Sequence, residues 1–315
     1  MRTHIVFCFV FAFASLKTSL GAEWCYQSQV TCAKPCQGPL KWPEVAATCG
    51  GKAQSPINIV TKKTLTDGRL QPLSYTGYQY AFQSDIINNG HSGNFCVHIV
   101  QVNLPDSAKI EGGNLESSYK AIQLHFHWGA DGGPGSEHTI DGEQYPMEMH
   151  IVHIKQRYHS LSEALKDKSG VAVLGFFYQE SGSSNRKYDS VINALKNIIR
   201  PGTNTTLYDL SLETLIPSHS DLTVYYRYQG SLTTPQCDEA VVWTVFENTI
   251  PLSKQQLSAF SQLSFADGQK MTSTFRPVQP LYGREVYRSS AVAVWVNSGL
   301  LLCSVLSVVA LNLSD

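Results

Sequence analysis

The run Ile122-Gln123-Leu124-His125-Phe126-His127-Trp128 constrains this chain more than any other stretch. Apolar and polar residues alternate along it. A strand sends residues i and i+2 to the same face. Gln123, His125 and His127 therefore share one face, and Ile122, Leu124, Phe126 and Trp128 share the other. The apolar row requires a core beneath it. The opposite row is unusually polar for the middle of a strand. It brings two imidazoles to one point, and imidazole nitrogen is a preferred zinc ligand.

Strand-like runs dominate the rest of the sequence: residues 95–104, 119–128, 147–154, 171–178, 222–228 and 240–246. Two of them, Val171-Ala172-Val173-Leu174-Gly175-Phe176-Phe177 and Val241-Val242-Trp243-Thr244-Val245-Phe246, are apolar but for Gly175 and Thr244 and read as strands buried on both faces. Helices are fewer. Tyr188, Val191, Ile192, Leu195, Ile198 and Ile199 follow helical spacing until Pro201-Gly202 stops them. Ser253-Lys254-Gln255-Gln256 has capping-box form and opens a short helix carrying Leu257 and Phe260. The glycine-rich Asp131-Gly132-Gly133-Pro134-Gly135 opens no helix and reads as a turn, not a phosphate loop. The expected fold is mainly β (α+β): one large, mostly antiparallel twisted sheet with small peripheral helices.

Both ends of the 315 residues look like processing signals. Residues 1–21 have the charge, apolar run and small residues of a secretory signal peptide. Residues 290–315 are largely apolar and end without the basic cluster that usually follows a spanning helix. Small residues Ser289, Ser290 and Ala291 stand at the start of this tail. The pattern favours removal of the tail and a GPI anchor at Ser289 or Ser290, over a retained membrane helix. Residues 22–289 then form one domain, long enough for a sizeable core. Its expected place is the secretory pathway and the extracellular face of the cell membrane. The 24 basic residues against 25 acidic ones argue against nucleic acid as a partner.

Six cysteines remain after such processing: Cys25, Cys32, Cys36, Cys49, Cys96 and Cys237. An even number in an exported chain points to disulfides. Cys32 and Cys36 have a spacing that could hint at a metal, but an oxidising compartment favours pairing. Asn204-Thr205-Thr206 is a glycosylation sequon in a turn-like stretch after Pro201-Gly202.

A His-x-His pair alone is weak grounds for a metal. Met147-Glu148-Met149-His150-Ile151-Val152-His153 strengthens it. In strand form this segment puts Glu148, His150 and Val152 on one face and His153 on the other. Three protein ligands with one open position describe a catalytic zinc, whereas a structural zinc takes four. Gln123 and Glu148 could hold the ligand rings from behind, fixing their tautomers. His153 reads as a satisfied core histidine.

Taken together, these motifs resemble the α-class carbonic anhydrases. Gln123-Leu124-His125-Phe126-His127-Trp128-Gly129 followed by Ser136-Glu137-His138-Thr139-Ile140-Asp141 is similar to that family's central signature. Gln54-Ser55-Pro56-Ile57, Asn88-Asn89-Gly90-His91, Met149-His150-Ile151-Val152-His153, Gly230-Ser231-Leu232-Thr233-Thr234-Pro235 and Arg276-Pro277 follow the family's order over almost all of the mature chain. Trp24-Cys25, Cys49, Cys237 and the apolar tail are most like the membrane-anchored type IV branch.

The resemblance implies a role for each matching residue. His125, His127 and His150 would bind Zn2+. Glu137 and Thr233 would form the hydrogen-bond relay that orients the nucleophile, and His91 would shuttle the proton. Val152, Val173, Leu232 and Trp243 would line the apolar site for carbon dioxide, with Thr234 contacting bicarbonate. Carbon dioxide, water and bicarbonate would be the small-molecule partners, and bicarbonate or acid–base transporters would be possible protein partners. Cys25–Cys36 and Cys49–Cys237 would be the disulfides of the type IV branch. Cys32 and Cys96 are extra to that pattern and could make a third bridge. Phe275 and Gln229 replace the family's usual Trp and Pro, both away from the implied metal. Two rivals are a non-catalytic carbonic-anhydrase-like binding domain and a zinc esterase. The three retained histidines argue against the first, and the apolar wall argues against the second.

Overall fold

The computed structural model describes residues 23–30, 35–90 and 100–290. Residues 1–21, the tail after Ser290, His91, Cys32 and Cys96 lie outside the described residues, so the expectations placed on them stay sequence expectations. Ten strands form the path of the main sheet: β1 (Leu65–Asp67), β2 (Phe82–Asn88), β3 (Val100–Asn103), β4 (Tyr119–Trp128), β5 (Met147–Lys155), β6 (Val171–Ser181), β7 (Thr203–Leu210), β8 (Tyr225–Gly230), β9 (Val241–Ser253) and β10 (Tyr287–Ser289). Their order across the sheet is β7-β2-β3-β4-β5-β6-β9-β8-β10-β1. Leu73–Thr76 and Lys109–Gly112 attach beside it through β4. Most pairs are antiparallel, as expected; β6 with β9 and β10 with β1 are parallel.

The central strands β4, β5, β6 and β9 are nearly continuous runs of buried residues. One face packs Leu124, Phe126, Trp128, Met149, Ile151 and Phe176 against helices α1 (Asp189–Leu195) and α2 (Lys254–Phe260), through Val191, Leu195, Leu257 and Phe260. Fully burying each such large apolar side chain contributes about 1.5–3 kcal/mol. α2 starts as its capping box requires. Ser253 Oγ accepts from the Gln256 N–H at 3.3 Å, and Gln256 Oε1 accepts from the Ser253 N–H at 3.1 Å. α1 is shorter than its apolar spacing implied. The backbone tightens after Leu195, with the Asn197 N–H donating to Ala194 O at 2.9 Å and the Ile198 N–H to Leu195 O at 3.1 Å. Those three-residue spacings are a 3₁₀ ending.

Three other expectations need correction or refinement. Asn204 is not in a turn but on β7, an outermost strand, where it pairs with Ile87 and is exposed. Ile122 does not stay with Leu124, Phe126 and Trp128. The register between β4 and β5 slips between Val152 and His153, so Gln123 and Ala121 take consecutive partners and Ile122 packs with the opposite cluster. A bulge reverses strict alternation at one residue and leaves the rest intact. Ser289, one of the two residues considered for lipid attachment, is 1% exposed. Its Oγ donates to Thr223 O and accepts from the Tyr225 N–H. Ser290 follows directly outside the strand.

Two disulfides are present among the described residues. Cys25–Cys36 ties down the N-terminal segment, and Cys49–Cys237 spans 188 residues of sequence. Among the described residues, no helix is long and apolar enough to cross a membrane.

Candidate metal centre

Strand register assembles the site as rows. Antiparallel pairing sets His150 opposite His125, Glu148 opposite His127, and Val152 opposite Gln123. β6 and β9 then extend the last row, from Val152 to Val173 to Trp243. Because these residues step by two, all of them share one face. The sheet thus lays a histidine row beside an apolar row. Gly175 lies opposite His150, and a Cβ there would come within 3.2 Å of Glu148 Oε1.

The three imidazoles form a nearly regular triangle. Ring centroids are 5.0 Å apart for His125–His127, 5.0 Å for His125–His150 and 4.7 Å for His127–His150. Each ring donates one N–H to an acceptor behind it. His125 Nδ1 donates to Gln123 Oε1 at 2.9 Å, and His127 Nδ1 to the Thr274 carbonyl at 2.6 Å. His150 Nε2 donates to Glu148 Oε1 at 2.7 Å. A neutral imidazole that donates from one nitrogen carries a lone pair on the other. Those lone pairs fall on His125 Nε2, His127 Nε2 and His150 Nδ1. One ligand nitrogen from each ring lies within 4.8 Å of the other two.

This donor set fits a tetrahedral metal ion. Two zinc–nitrogen bonds of the usual length at a tetrahedral angle put their nitrogens about 3.3 Å apart. His125 Nε2 and His150 Nδ1 are 3.1 Å apart. All three rings are buried, at 1–2% exposure. Burial pushes the His150 pKa down, against the opposing pull of Glu148, so the neutral ligand form is favoured.

Two carboxylates stand behind the triangle. Glu148 is fully buried and accepts four hydrogen bonds. Its Oε2 takes the backbone N–H groups of Glu137 and His138, at 2.9 and 2.8 Å. Its Oε1 takes His138 Nδ1 and His150 Nε2, both at 2.7 Å. Burial alone would raise this carboxyl, but His138 and His150 outweigh it and hold it well below the usual carboxylate range. Glu137 is the opposite case. Burial pushes its carboxyl well up, and the hydrogen bonds from Thr233 and from the Arg276 backbone N–H, the latter at 2.8 Å, only oppose the shift. Its Oε2 lies 3.4 Å from His127 Nε2.

The apolar row closes one side. Val152, Val173, Leu232 and Trp243 belong to a single buried cluster. The Trp243 ring sits 4.8 Å from His150, centroid to centroid. Thr233 and Thr234 are buried in the loop after β8, and Cys49–Cys237 ties that loop to the N-terminal segment. A family model for eukaryotic-type carbonic anhydrases matches residues 37–290, which contain every one of these side chains.

The chain belongs to the α-class carbonic anhydrases.

As a carbonic anhydrase it is a lyase. It is 39% identical to carbonic anhydrase 4 of Rattus norvegicus over 86% of this chain and 85% of that protein. To carbonic anhydrase 15 of Mus musculus it is 40% identical over 92% and 90%. To carbonic anhydrase 12 of Homo sapiens the identity is 36%, over 91% and 79%. His153 sits on the far face as expected, fully buried, with Nε2 2.7 Å from Tyr78 Oη.

Three members of this carbonic anhydrase's site carried no assigned role in the sequence. His138 joins Glu148 to Tyr228, with Nε2 2.6 Å from Tyr228 Oη. Its place in Ser136-Glu137-His138 was a usable signal. Thr274 and Arg276 reach His127 and Glu137 through backbone groups, which every residue type possesses, so Arg276-Pro277 could be matched to the family but neither role could be read from a side chain.

Proposed function

We propose that this carbonic anhydrase catalyses the reversible hydration of carbon dioxide to bicarbonate and a proton, using Zn2+ held by His125, His127 and His150. The observation that carries this reading is the three-nitrogen triangle beside an apolar row. Zinc held there would lower the pKa of a water molecule to about 7 and so would supply a strong nucleophile at neutral pH. Gln123, Glu148 and the Thr274 carbonyl hold the three rings in the ligand tautomer. The Thr233 hydroxyl, bonded to Glu137, fixes the direction of attack. Carbon dioxide is uncharged and without a permanent dipole, so Val152, Val173, Leu232 and Trp243 suit it better than polar groups would. Thr234 contacts the bicarbonate formed. His91 carries the proton away, since an imidazole titrates near 6.5, within the range required. The retention of all three histidines weighs against a purely binding domain.

We further propose that the enzyme works at the extracellular face of the cell membrane, held by a GPI anchor and glycosylated at Asn204. The leader-like and tail-like sequences support this, as do two disulfides suited to an oxidising compartment. Stopped-flow carbon dioxide hydration with and without a chelator tests the chemistry. Metal-dependent hydration is expected, and a zinc-loaded protein without activity would refute it. Treatment of expressing cells with phosphatidylinositol-specific phospholipase C should release the enzyme, and retention with a cleavable lipid present would point to a spanning tail.

A further inference from the structure

Arg227 lies on β8 and is 7% exposed. Its Nε donates to Thr244 Oγ1 at 3.0 Å and its Nη1 to the Gly113 carbonyl at 2.8 Å. The Tyr225 ring is 5.5 Å from the guanidinium carbon. Its buried Nη2 has no acceptor among the described residues. None of the ion pairs among the described residues includes Arg227. A guanidinium stays charged in proteins, and a buried charge without a counter-charge is unfavourable.

Arg227 also lines a recess of about 270 Å³. The carboxylates on its wall already have cations. Asp67 is bonded by Arg69 at 2.7 Å, and Glu116 by Lys155 at 2.7 Å. Asp67 attracts Arg227 only through space, so Arg227 is the cation of the recess wall with no ion-pair contact among the described residues. Leu70, Leu115 and Val242 supply apolar wall beside it. None of the proposed metal ligands lines this recess.

We infer that the recess at Arg227 is a binding site for one small carboxylate-type oxyanion, separate from the metal centre. The anion's negative head faces the guanidinium, where a charge-assisted hydrogen bond is stronger than a neutral one. Bicarbonate and short-chain carboxylates share this head. They differ in that a carboxylate's alkyl group can also use the apolar wall.

Titration of the zinc-loaded, ¹⁵N-labelled protein tests the site. Sodium acetate and sodium bicarbonate are added in separate series, each against sodium chloride at equal pH and ionic strength. The Arg227 Nε–H signal and the backbone amides of Asn114 and Gln229 are followed by NMR. Saturable shifts are expected in at least one oxyanion series and not with chloride. Saturation by acetate alone marks a site that uses the apolar wall; saturation by bicarbonate alone marks one selective for the smaller, more polar anion. Arg227→Gln should weaken binding by about tenfold or more, as loss of a charged hydrogen-bond donor requires. Asn114→Asp leaves Arg227 in place and sets a negative charge at the rim of the recess; it should weaken binding roughly threefold. It serves as the second variant if Arg227→Gln does not fold. Absence of saturable shifts at these signals, an identical response to chloride, or unchanged affinity in a folded Arg227→Gln variant would each overturn the proposal.

Discussion

Glu148→Gln should damage this enzyme far more than its isosteric shape implies. The carboxylate accepts four hydrogen bonds, two from backbone N–H groups and two from imidazoles. A carboxamide keeps one accepting oxygen and turns the other position into a donor. With the NH2 toward the backbone, the Glu137 and His138 amides lose their acceptor. With the NH2 toward the rings, His150 Nε2 must accept, so its proton moves to Nδ1, the nitrogen facing the metal position. Either way two charge-assisted bonds are lost, each worth about 1.5–3 kcal/mol. The expected loss of stability is about 3–6 kcal/mol, against the roughly 5–15 kcal/mol typical of a domain. Zinc affinity should fall roughly 10–100-fold, as usual when a ligand's supporting partner is removed. Urea unfolding of chelator-stripped protein isolates the first effect, and competition with a chromogenic zinc chelator measures the second. A Glu148→Gln variant with wild-type stability and zinc affinity would refute both the four-bond account and the tautomer argument.

Two further predictions concern stability away from the metal. Burial holds His153 at a pKa of about 4 in the folded protein, against about 6.5 when unfolded. Between those values the unfolded state binds more protons, so this residue's effect is a loss of stability as pH falls from about 6.5 to about 4. The full loss is about 3 kcal/mol. Urea midpoints at pH 7 and pH 4 should differ less in His153→Phe than in the wild type, and equal differences would count against the assignment. Replacing Cys49 and Cys237 together by serine opens a loop of 188 residues. Chain entropy sets the expected cost at about 5 kcal/mol, and unchanged urea unfolding would contradict it.

The parts of this fold that could be read from sequence are those set by local periodicity. Two-residue alternation placed His125 and His127 together, and the capping box placed the start of α2. Supporting roles were legible where a side chain carries them, as with Gln123 and Glu148. Pairing register was not legible, because it depends on strands distant in sequence. Nothing within residues 147–155 says that His150 will face His125 rather than a neighbouring position. The bulge at Ile122 follows from that same register. Asn204 looked like part of a turn because Pro201-Gly202 precedes it, yet pairing with β2 made it a strand residue. The far end of α1 was overextended because apolar spacing alone does not distinguish an α-turn from a 3₁₀ ending.

The Cys49–Cys237 bond also imposes an order in time. Chains are made from the N-terminus, and early parts begin to fold first. His125, His127 and His150 lie between the two cysteines, so all three exist before Cys237 is synthesised. Thr233 and Thr234 come just ahead of that cysteine. Thr274 and Arg276, whose backbones brace His127 and Glu137, come after it. A nascent chain thus holds the three candidate ligands, with Gln123 and Glu148 behind them, before it holds Thr233, the Thr274 carbonyl and the Arg276 N–H, and the bond that ties their loop down forms only after Cys237 is made.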